Sequence, residues 1–176
     1  MGLFSSKPKK PKIDMVKCEA NKKRLREIFN QVVEDGDSYK IIYAWAADSQ
    51  YSSGILLDTR TTTYSNFVVG HRETDYKVVV IEIDMAMEQF GEPLYITMDE
   101  VIGTDYYRKI YQAWFIYAKN KGSYGVKLVI SDNLAGSPYT VPNLEQSEER
   151  EQFLDFLERY SDKLREKGFK VIRWKR

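Results

Sequence analysis

The stretch YKVVVIEI at residues 76–83 carries the clearest fold signal in this chain of 176 residues. Four consecutive residues in it are Val or Ile, and β-branched side chains favour a strand over a helix. Turn signals stand on either side of it, among them Ser52-Ser53-Gly54 and Gly91-Glu92-Pro93. No clear helical pattern separates the neighbouring apolar runs. The sequence therefore predicts an antiparallel meander rather than a parallel sheet with crossover helices.

Further strands are predicted outward from this stretch, between Tyr39 and about Tyr139. The runs expected to form them are residues 40–46, 55–57, 61–69, 94–96, 101–102, 106–107, 110–118 and 126–130. Asn120-Lys121-Gly122 predicts a hairpin turn between the last two of these strands. For two segments, residues 85–90 and 106–119, a helix remains the alternative to the predicted strand or turn.

Two amphipathic helices are predicted to flank the strands. Near the N-terminus, apolar residues at helical spacing predict a helix with Asn21 as its N-cap and Gly36 at its end. The second helix is predicted over residues 147–167, because acidic residues fill its first turns, basic residues fill its last turn and Gly168 follows. Residues 169–174 are expected to form a terminal strand.

Residues 92–164 show the order of elements that carries a family resemblance. Within them, LYITMDEV at residues 94–101 looks like a strand that turns at an acidic residue, and YTVPNL at residues 139–144 looks like a last strand before the helix. This order resembles the pleckstrin-homology-like barrel family, including its bacterial uncharacterised members. The resemblance implies that the final helix plugs one open end of a bent sheet. It also implies a partner site at an edge strand or at an open barrel end.

The predicted fold class is α+β, with a mostly antiparallel sheet or a pleckstrin-homology-like barrel, an N-terminal helix and a packed C-terminal amphipathic helix. The length fits one domain, and 43% hydrophobic with 30% charged residues is typical of a globular protein. We expect residues 1–17 to be a disordered basic tail and residues 18–176 to be a single domain. Trp45 and Trp114 are expected in the core, and Trp174 as a staple or a partner contact.

The N-terminal tail leaves two interpretations open. Gly2 and Ser6 match a myristoylation pattern, and the basic run KPKKPK at residues 7–12 would add attraction to an anionic membrane surface. The alternative is a solvated tail that its Pro and Lys residues keep disordered. No run of 18 apolar residues occurs, so neither a signal peptide nor a transmembrane helix is expected.

The residue counts exclude several kinds of function. A net charge of +1 gives no overall electrostatic field that would favour binding to nucleic acid or to a membrane surface. The basic tail is the one segment that could still attract a membrane. One Cys and one His exclude an intramolecular disulfide, a Cys-based zinc site and any two-His site. Neither Cys18 nor His71 is expected to be catalytic, because Cys18 lies beside the tail with no helix N-terminus in front of it, and a lone histidine at a strand end is typically a surface or hydrogen-bonded residue. The single cysteine fits a reducing, cytoplasmic location. No cofactor and no metal are expected.

A binding surface is predicted from the alternation of aromatic and basic residues late in the strand region. Its members are Tyr106, Tyr107, Arg108, Lys109 and Tyr111. Such alternation is typical of stacking platforms for single-stranded nucleic acid, but the near-zero net charge disfavours that partner. A protein or peptide is the expected ligand, so the sequence favours a non-enzymatic binding or interaction module.

The enzymatic alternative is a Mg²⁺-dependent nuclease that uses Asp58, Asp75 and Lys77. Two acids and a lysine on adjacent strands can hold a metal ion and steady the attacking water. Glu82 and Asp84 are also expected on one strand face, where a metal site is conceivable. The competing interpretation is that these acids stand at strand ends and face solvent.

Overall fold

A computed structural model describes residues 12–53, 58–107, 112–119, 122–136, 138–169 and 172–173. These residues form a long sheet with one helix on each face. The helices are α1 (Met15–Val32) and α2 (Ser147–Glu166), and a 3-10 turn spans Gly36–Ser38. The strands are β1 (Lys40–Ser53), β2 (Asp58–Arg72), β3 (Lys77–Ile83), β4 (Leu94–Ile96), β5 (Val101–Tyr107), β6 (Gln112–Lys119), β7 (Gly122–Val129), β8 (Asn133–Leu134), β9 (Leu144–Glu145) and β10 (Ile172–Arg173).

The main sheet contains eight of the described strands in the order β10-β5-β6-β7-β1-β2-β3-β4. Its neighbouring strands are antiparallel, apart from β10, which pairs in parallel with β5. β8 and β9 form a separate pair. The predicted α+β class with a mostly antiparallel sheet is confirmed. The sheet is open and is not closed into a barrel, because β4 and β10 form its two edges.

β1 and β2 form a long hairpin that continues past the rest of the sheet. Their pairing runs without interruption from Lys40 and His71 to Ser53 and Asp58. β3 pairs with β2 only over residues 66–72. Among the described strands, the outer half of the hairpin is therefore a two-stranded arm.

α2 covers one face of the sheet, which we call the inner face. Even-numbered residues of β1, such as Ile42 and Ala44, point to this face and belong to its core. The buried side chains that α2 contributes are Phe153, Leu154, Phe156, Leu157, Tyr160 and Leu164. Burial of each large apolar side chain contributes about 2 kcal/mol, so this helix is an integral part of the fold.

α1 covers the opposite, outer face of the sheet. Its apolar stripe packs on the odd-numbered residues of β1 and their neighbours in β2 and β3. The stripe consists of Leu25, Ile28, Phe29 and Val33. The Phe29 ring lies against Gly70 of β2, where a Cβ atom would overlap the ring. The close approach of α1 to the sheet therefore requires glycine at this position.

Gln146, just before α2, joins this helix to the sheet. Its buried side chain accepts a hydrogen bond from Tyr43 N (3.0 Å) and donates to Tyr43 O (2.9 Å) and Ser131 O (2.8 Å). A glutamine amide carries the same donor and acceptor groups as a peptide bond. It therefore continues the hydrogen bonding of β1 where no strand lies alongside.

The ends of α1 differ from the prediction. The predicted N-cap Asn21 is wrong: α1 begins at Met15, and Asp14 caps it by accepting from Val16 N (3.1 Å) and Lys17 N (3.3 Å). Asn21 lies inside the helix and donates to Pro142 O (2.8 Å). The helix also ends earlier than predicted, at Val32, and Gly36 begins the 3-10 turn that follows. Residues 15–17 thus belong to α1 and not to a tail.

The other elements agree more closely with the prediction. α2 starts at Ser147, and Gly168 follows its end with φ of 89°. Residues 85–90 form a turn in which Asp84 Oδ1 accepts from Glu88 N (2.8 Å) and Gln89 N (2.9 Å). The strand predicted over residues 139–144 reaches strand geometry only at Leu144. The predicted strand 55–57 and the turn residues 120–121 lie outside the described residues.

Neither helix in the described part of the chain is long and apolar enough to cross a membrane.

Candidate functional site

β1 and β7 are neighbours in the sheet, but they separate immediately beyond the pair that Trp45 forms with Val129. On one side of that pair, the Gln146 side chain occupies the space beside β1. On the other side, β1 and β7 form no further register pair in the residues that the structure describes. The sheet opens there into a cavity, which we call the β1–β7 cleft.

The β1–β7 cleft is large enough for a ligand. Its volume is about 530 Å³, and ligand sites typically measure about 300 to 1,000 Å³. Its floor is apolar and extends the inner-face core beyond the area that α2 covers. The lining residues are Ala46, Asp48, Ser65, Phe67, Val80, Glu82, Glu92, Leu94, Gly125, Val126 and Lys127.

The edge of β1 faces this cleft. Tyr43 directs its N–H and C=O at Gln146, on the side of β1 away from β2. Successive residues of a strand alternate in this direction, and the β1–β2 register has no shift. Ala47 and Ser49 therefore direct their backbone N–H and C=O groups towards the cleft.

The edge of β7 faces the cleft from the other side. Val129 directs its backbone groups at Trp45, with which it pairs. The β6–β7 register is also continuous, so Lys127 and Gly125 direct their N–H and C=O groups to the same side. The cleft thus lies between two strand edges.

The rim of the cleft is predominantly acidic. Asp48, Glu82 and Glu92 are exposed there, and Lys127 is the only basic residue among the lining residues. Within the described part of the chain, none of these four side chains forms a hydrogen bond or an ion pair. Their charges remain available to a ligand.

A second cavity, of about 380 Å³, lies between α1, β1 and the start of α2. Its charged side chains are already bound within the protein. Lys22 Nζ lies 2.6 Å from Glu149 Oε1, and Arg26 donates to the carbonyl oxygens of Gly36 and Tyr39 at 3.0 Å each. A ligand would have to displace these contacts, so the β1–β7 cleft is the stronger candidate.

An exposed aromatic cluster lies on the outer face, at the base of the hairpin arm. The Tyr64 and Tyr139 rings stack with centroids 4.1 Å apart and planes 4° apart. The ring centroids of Trp45 and Tyr64 lie 6.4 Å apart, and Trp45 Nε1 donates to Ser131 Oγ (3.3 Å). Trp45 also packs against the outer core, as the sequence predicts. The Trp114 side chain and Trp174 lie outside the described residues.

The predicted aromatic and basic surface is only partly within the described residues. Tyr106 and Tyr107 end β5, where their backbones pair with Ala113 and Gln112 of β6. Their side chains, together with Arg108, Lys109 and Tyr111, lie outside the described residues. Binding through this surface stays a prediction.

Two of the three residues of the nuclease hypothesis are brought together, since Lys77 Nζ lies 3.6 Å from Asp75 Oδ2, but Asp58 is remote from both. Asp58 begins β2, whereas Asp75 and Lys77 lie in and after the turn at its other end. A strand of this length spans roughly 45 Å at about 3.3 Å per residue. Asp75 also forms a two-contact ion pair with Arg72, with Nε to Oδ1 at 2.9 Å and Nη2 to Oδ2 at 2.5 Å.

Glu82 and Asp84 also have different surroundings. Glu82 belongs to the cleft rim, whereas Asp84 caps the following turn through its backbone hydrogen bonds. These hydrogen bonds, that from Gln89 N first, lower the pKa of Asp84. Among the described residues, no group of three or more His, Cys, Asp or Glu side chains is arranged to hold a metal ion.

His71 and Cys18 are both buried away from the cleft. His71 lies between β2 and α2, with its ring centroid 4.7 Å from that of Phe156 and 5.1 Å from that of Phe153. Burial lowers the pKa of His71 to about 3, so its imidazole is neutral at pH 7. Cys18 is fully buried, and its Sγ accepts from Glu145 N (3.3 Å). Both side chains serve packing. His71 is therefore not the surface or hydrogen-bonded residue expected at a strand end, since it is buried and its Nδ1 has no partner among the described residues.

The sequence contains a signal for the cleft in the spacing of two acidic residues. Asp48 follows Ala46 by two residues and Glu82 follows Val80 by two residues. Because strand side chains alternate between faces, both acids share the inner face with the core residue before them. A strand face that changes from apolar to acidic marks the border between a packed core and an exposed site.

Comparisons with protein-family models, with curated proteins and with solved structures found no match to this chain. The geometry and chemistry of the cleft are therefore the basis for proposing a function.

Proposed function

We propose that this protein is a non-enzymatic binding module that takes a segment of a partner protein or a peptide in the β1–β7 cleft. The observation that carries this proposal is the cleft of about 530 Å³ between two strand edges. Backbone N–H and C=O groups need hydrogen-bond partners, and free strand edges readily pair with another extended chain. The apolar floor adds area that a partner side chain can bury.

The chemistry of the prominent titratable groups supports binding over catalysis. His71 is neutral and packed against α2, and Asp75 is held by Arg72. These residues stabilise the fold and do not line the β1–β7 cleft. The groups that do line it are suited to recognition, since they combine apolar surface, carboxylates and free backbone edges.

A random-peptide display selection tests the proposal. Ser65 lines the cleft, so the substitution Ser65→Trp fills it with an indole ring. Thr62→Trp is the matched control, because residue 62 lies on the opposite face of the same strand. We expect the unsubstituted protein and Thr62→Trp to enrich the same peptides, and Ser65→Trp to lose them while keeping its thermal unfolding temperature. Peptides that bind all three proteins equally would contradict the cleft as the site.

Membership of the pleckstrin-homology-like family and a cytoplasmic location also stay part of the proposal. The family is supported by two antiparallel runs, β1 to β4 and β5 to β7, which join through β1 and β7, and by a later amphipathic helix that packs on their inner face. The location is supported by the single cysteine, Cys18, which is free and buried. A localisation measurement in the source cell tests the location.

A further inference from the structure

We infer that the segment bound in the β1–β7 cleft is an extended peptide with basic side chains, which adds as a strand to the edge of β1. This inference rests on the proposed function and specifies the chemistry of the partner. It joins two observations, the free backbone edge of β1 and the unpaired carboxylates above an apolar floor.

The charge of the rim selects a cationic partner. Asp48, Glu82 and Glu92 outnumber Lys127, and no ion pair within the described residues neutralises them. At physiological ionic strength charges act over about 8 Å, so the near-neutral charge of the whole chain does not cancel this local excess. A Lys or Arg side chain can lay its apolar stem on the floor while its charged end reaches the rim.

The backbone geometry selects an extended partner. Ala47 and Ser49 direct their N–H and C=O groups to the cleft, whereas Ala46 and Asp48 direct theirs to β2. A peptide that pairs with Ala47 and Ser49 places every second side chain on the inner face, over the floor and rim. The recognised pattern is therefore two inner-facing residues, two positions apart, of which one is apolar and one is basic.

The protein's own basic run at residues 7–12 is the competing occupant. Its sequence, KPKKPK, has the required charge. However, Pro8 and Pro11 have no N–H group, and their spacing of three residues removes one donor from each edge of an extended strand. The strand geometry of the cleft therefore favours a segment from another protein.

Binding of a defined peptide tests the inference. The probe is a short fluorescein-labelled peptide in which Thr alternates with Val and Lys in turn, so that Val and Lys lie two positions apart on one face, and its dissociation constant is measured by fluorescence anisotropy. We expect the combined variant Asp48→Asn, Glu82→Gln and Glu92→Gln to weaken binding by about tenfold, since each exposed ion pair contributes up to about fivefold. A peptide with Glu in place of Lys should not bind, and methylation of alternate backbone nitrogens should abolish binding of the Lys peptide.

A matched variant separates the rim from general electrostatics. Glu19→Gln, Glu34→Gln and Asp155→Asn make the same change in net charge at exposed positions outside the cleft. We expect this variant to change the affinity by less than about twofold. Equal weakening by both triple variants would overturn the inference, because the attraction would then be nonspecific.

Hydrogen exchange separates strand addition from side-chain docking. On binding of the peptide, the amides of Ala47 and Ser49 should gain protection, while those of Ala46 and Asp48 should not change, because they already bond to β2. Uniform or absent protection would contradict strand addition.

Two other results would show that a different occupant fills the cleft. Tighter peptide binding after deletion of residues 1–11 would assign the site to the protein's own tail. Concentration-dependent self-association that the Ser65→Trp variant loses would assign it to a second copy. If the display selection yields peptides that depend on the cleft but are neutral or acidic, the proposed function stands and the present inference fails.

Discussion

The ring of Phe29 lies against the backbone of β2 at Gly70, and no side chain holds the two apart. This contact sets the distance between α1 and the sheet. At Gly103 in β5, by contrast, an added Cβ atom would lie 3.8 Å from Ile116 Cδ1, which is an ordinary van der Waals contact. The two glycines therefore allow a comparison within one protein.

We expect Gly70→Ala to lower the free energy of unfolding by about 1 to 3 kcal/mol, because the new methyl group overlaps a buried ring. Gly103→Ala should be neutral or stabilise the protein by up to about 1 kcal/mol, because alanine restricts the unfolded chain. Urea denaturation at pH 7 measures both. An equal effect of the two substitutions would contradict the packing of α1 described above.

The roles of two single residues, the N-cap of α1 and Gln146, were not fixed by the sequence pattern. The cap of α1 obeys a local rule, and Asp14 satisfies it as well as Asn21 does. The sequence alone does not choose between two candidates seven residues apart. Gln146 was not predictable, since its hydrogen-bond partner Tyr43 lies 103 residues away.

At the scale of elements, the start of α2 is tied to the sheet through Gln146. Three backbone groups, two on buried Tyr43 and one on half-buried Ser131, depend on this one side-chain amide. Removal of the amide leaves all three without a partner, and each unsatisfied group costs about 1 to 3 kcal/mol. The side chain therefore stabilises the fold in the way that the hydrogen bonds of a neighbouring strand would.

We expect Gln146→Leu to lower the free energy of unfolding by about 3 kcal/mol or more. Gln146→Glu should be at least as costly at pH 7, because its carboxylate would face two carbonyl oxygens in place of the amide donor. Gln152→Leu, on the same helix and bonded only to exposed Glu148, should change stability by less than about 0.5 kcal/mol. Guanidinium denaturation provides the measurement, and a tolerated Gln146→Leu would contradict this role.

The lengths of the strands show what a pattern of side chains can predict. The apolar runs located β3, β4, β6 and β7 because these strands bury one or both faces. β1 was predicted to end near residue 46 but continues to Ser53. Its outer part, DSQYSS at residues 48–53, has no apolar alternation and is held by backbone pairing with β2. Hydrogen bonding to a neighbouring strand leaves no such pattern in the sequence.

At the scale of the whole molecule, His71 couples the attachment of α2 to pH. Its ring lies between Phe153 and Phe156 of α2, and its Nδ1 has no hydrogen-bond partner in the described residues. Burial is the main cause that lowers its pKa from 6.5 to about 3, and the nearby charges of Lys40 and Arg159 act in the same direction. The folded protein therefore holds His71 neutral where the unfolded chain protonates it.

The sign of the pH dependence follows from this difference. Stability is fully present above pH 6.5 and falls as the pH decreases towards 3, since the unfolded chain then binds one more proton. We expect a loss of about 2 kcal/mol between pH 7 and pH 5. The hydrogen bond from Arg72 lowers the pKa of Asp75, so that group adds to the loss only at lower pH.

Substitution of the only histidine isolates this contribution. Urea denaturation of the His71→Leu variant should give the same free energy of unfolding at pH 7 and pH 5. The unsubstituted protein should show the loss over that range. If both proteins lose stability equally, His71 is not the group responsible.

The cleft could not be predicted as a site because it depends on how the strands are arranged. Asp48, Glu82 and Glu92 come from three segments of the chain, and Lys127 from a fourth. Alternation places the first two on the inner face, but only the separation of β1 from β7 brings all four around one cavity. That separation is a property of long-range pairing, which the sequence pattern does not encode locally.

The inner face is divided between an area sealed by α2 and an area left open at the cleft. The area under α2 supplies most of the stabilising apolar burial, and the exposed acids at the cleft contribute little to the free energy of folding. Natural variation can therefore replace those acids at small cost to the native state. Under the proposed function, the fold can be inherited intact while the choice of partner changes, which also makes the cleft a convenient place to engineer new affinities.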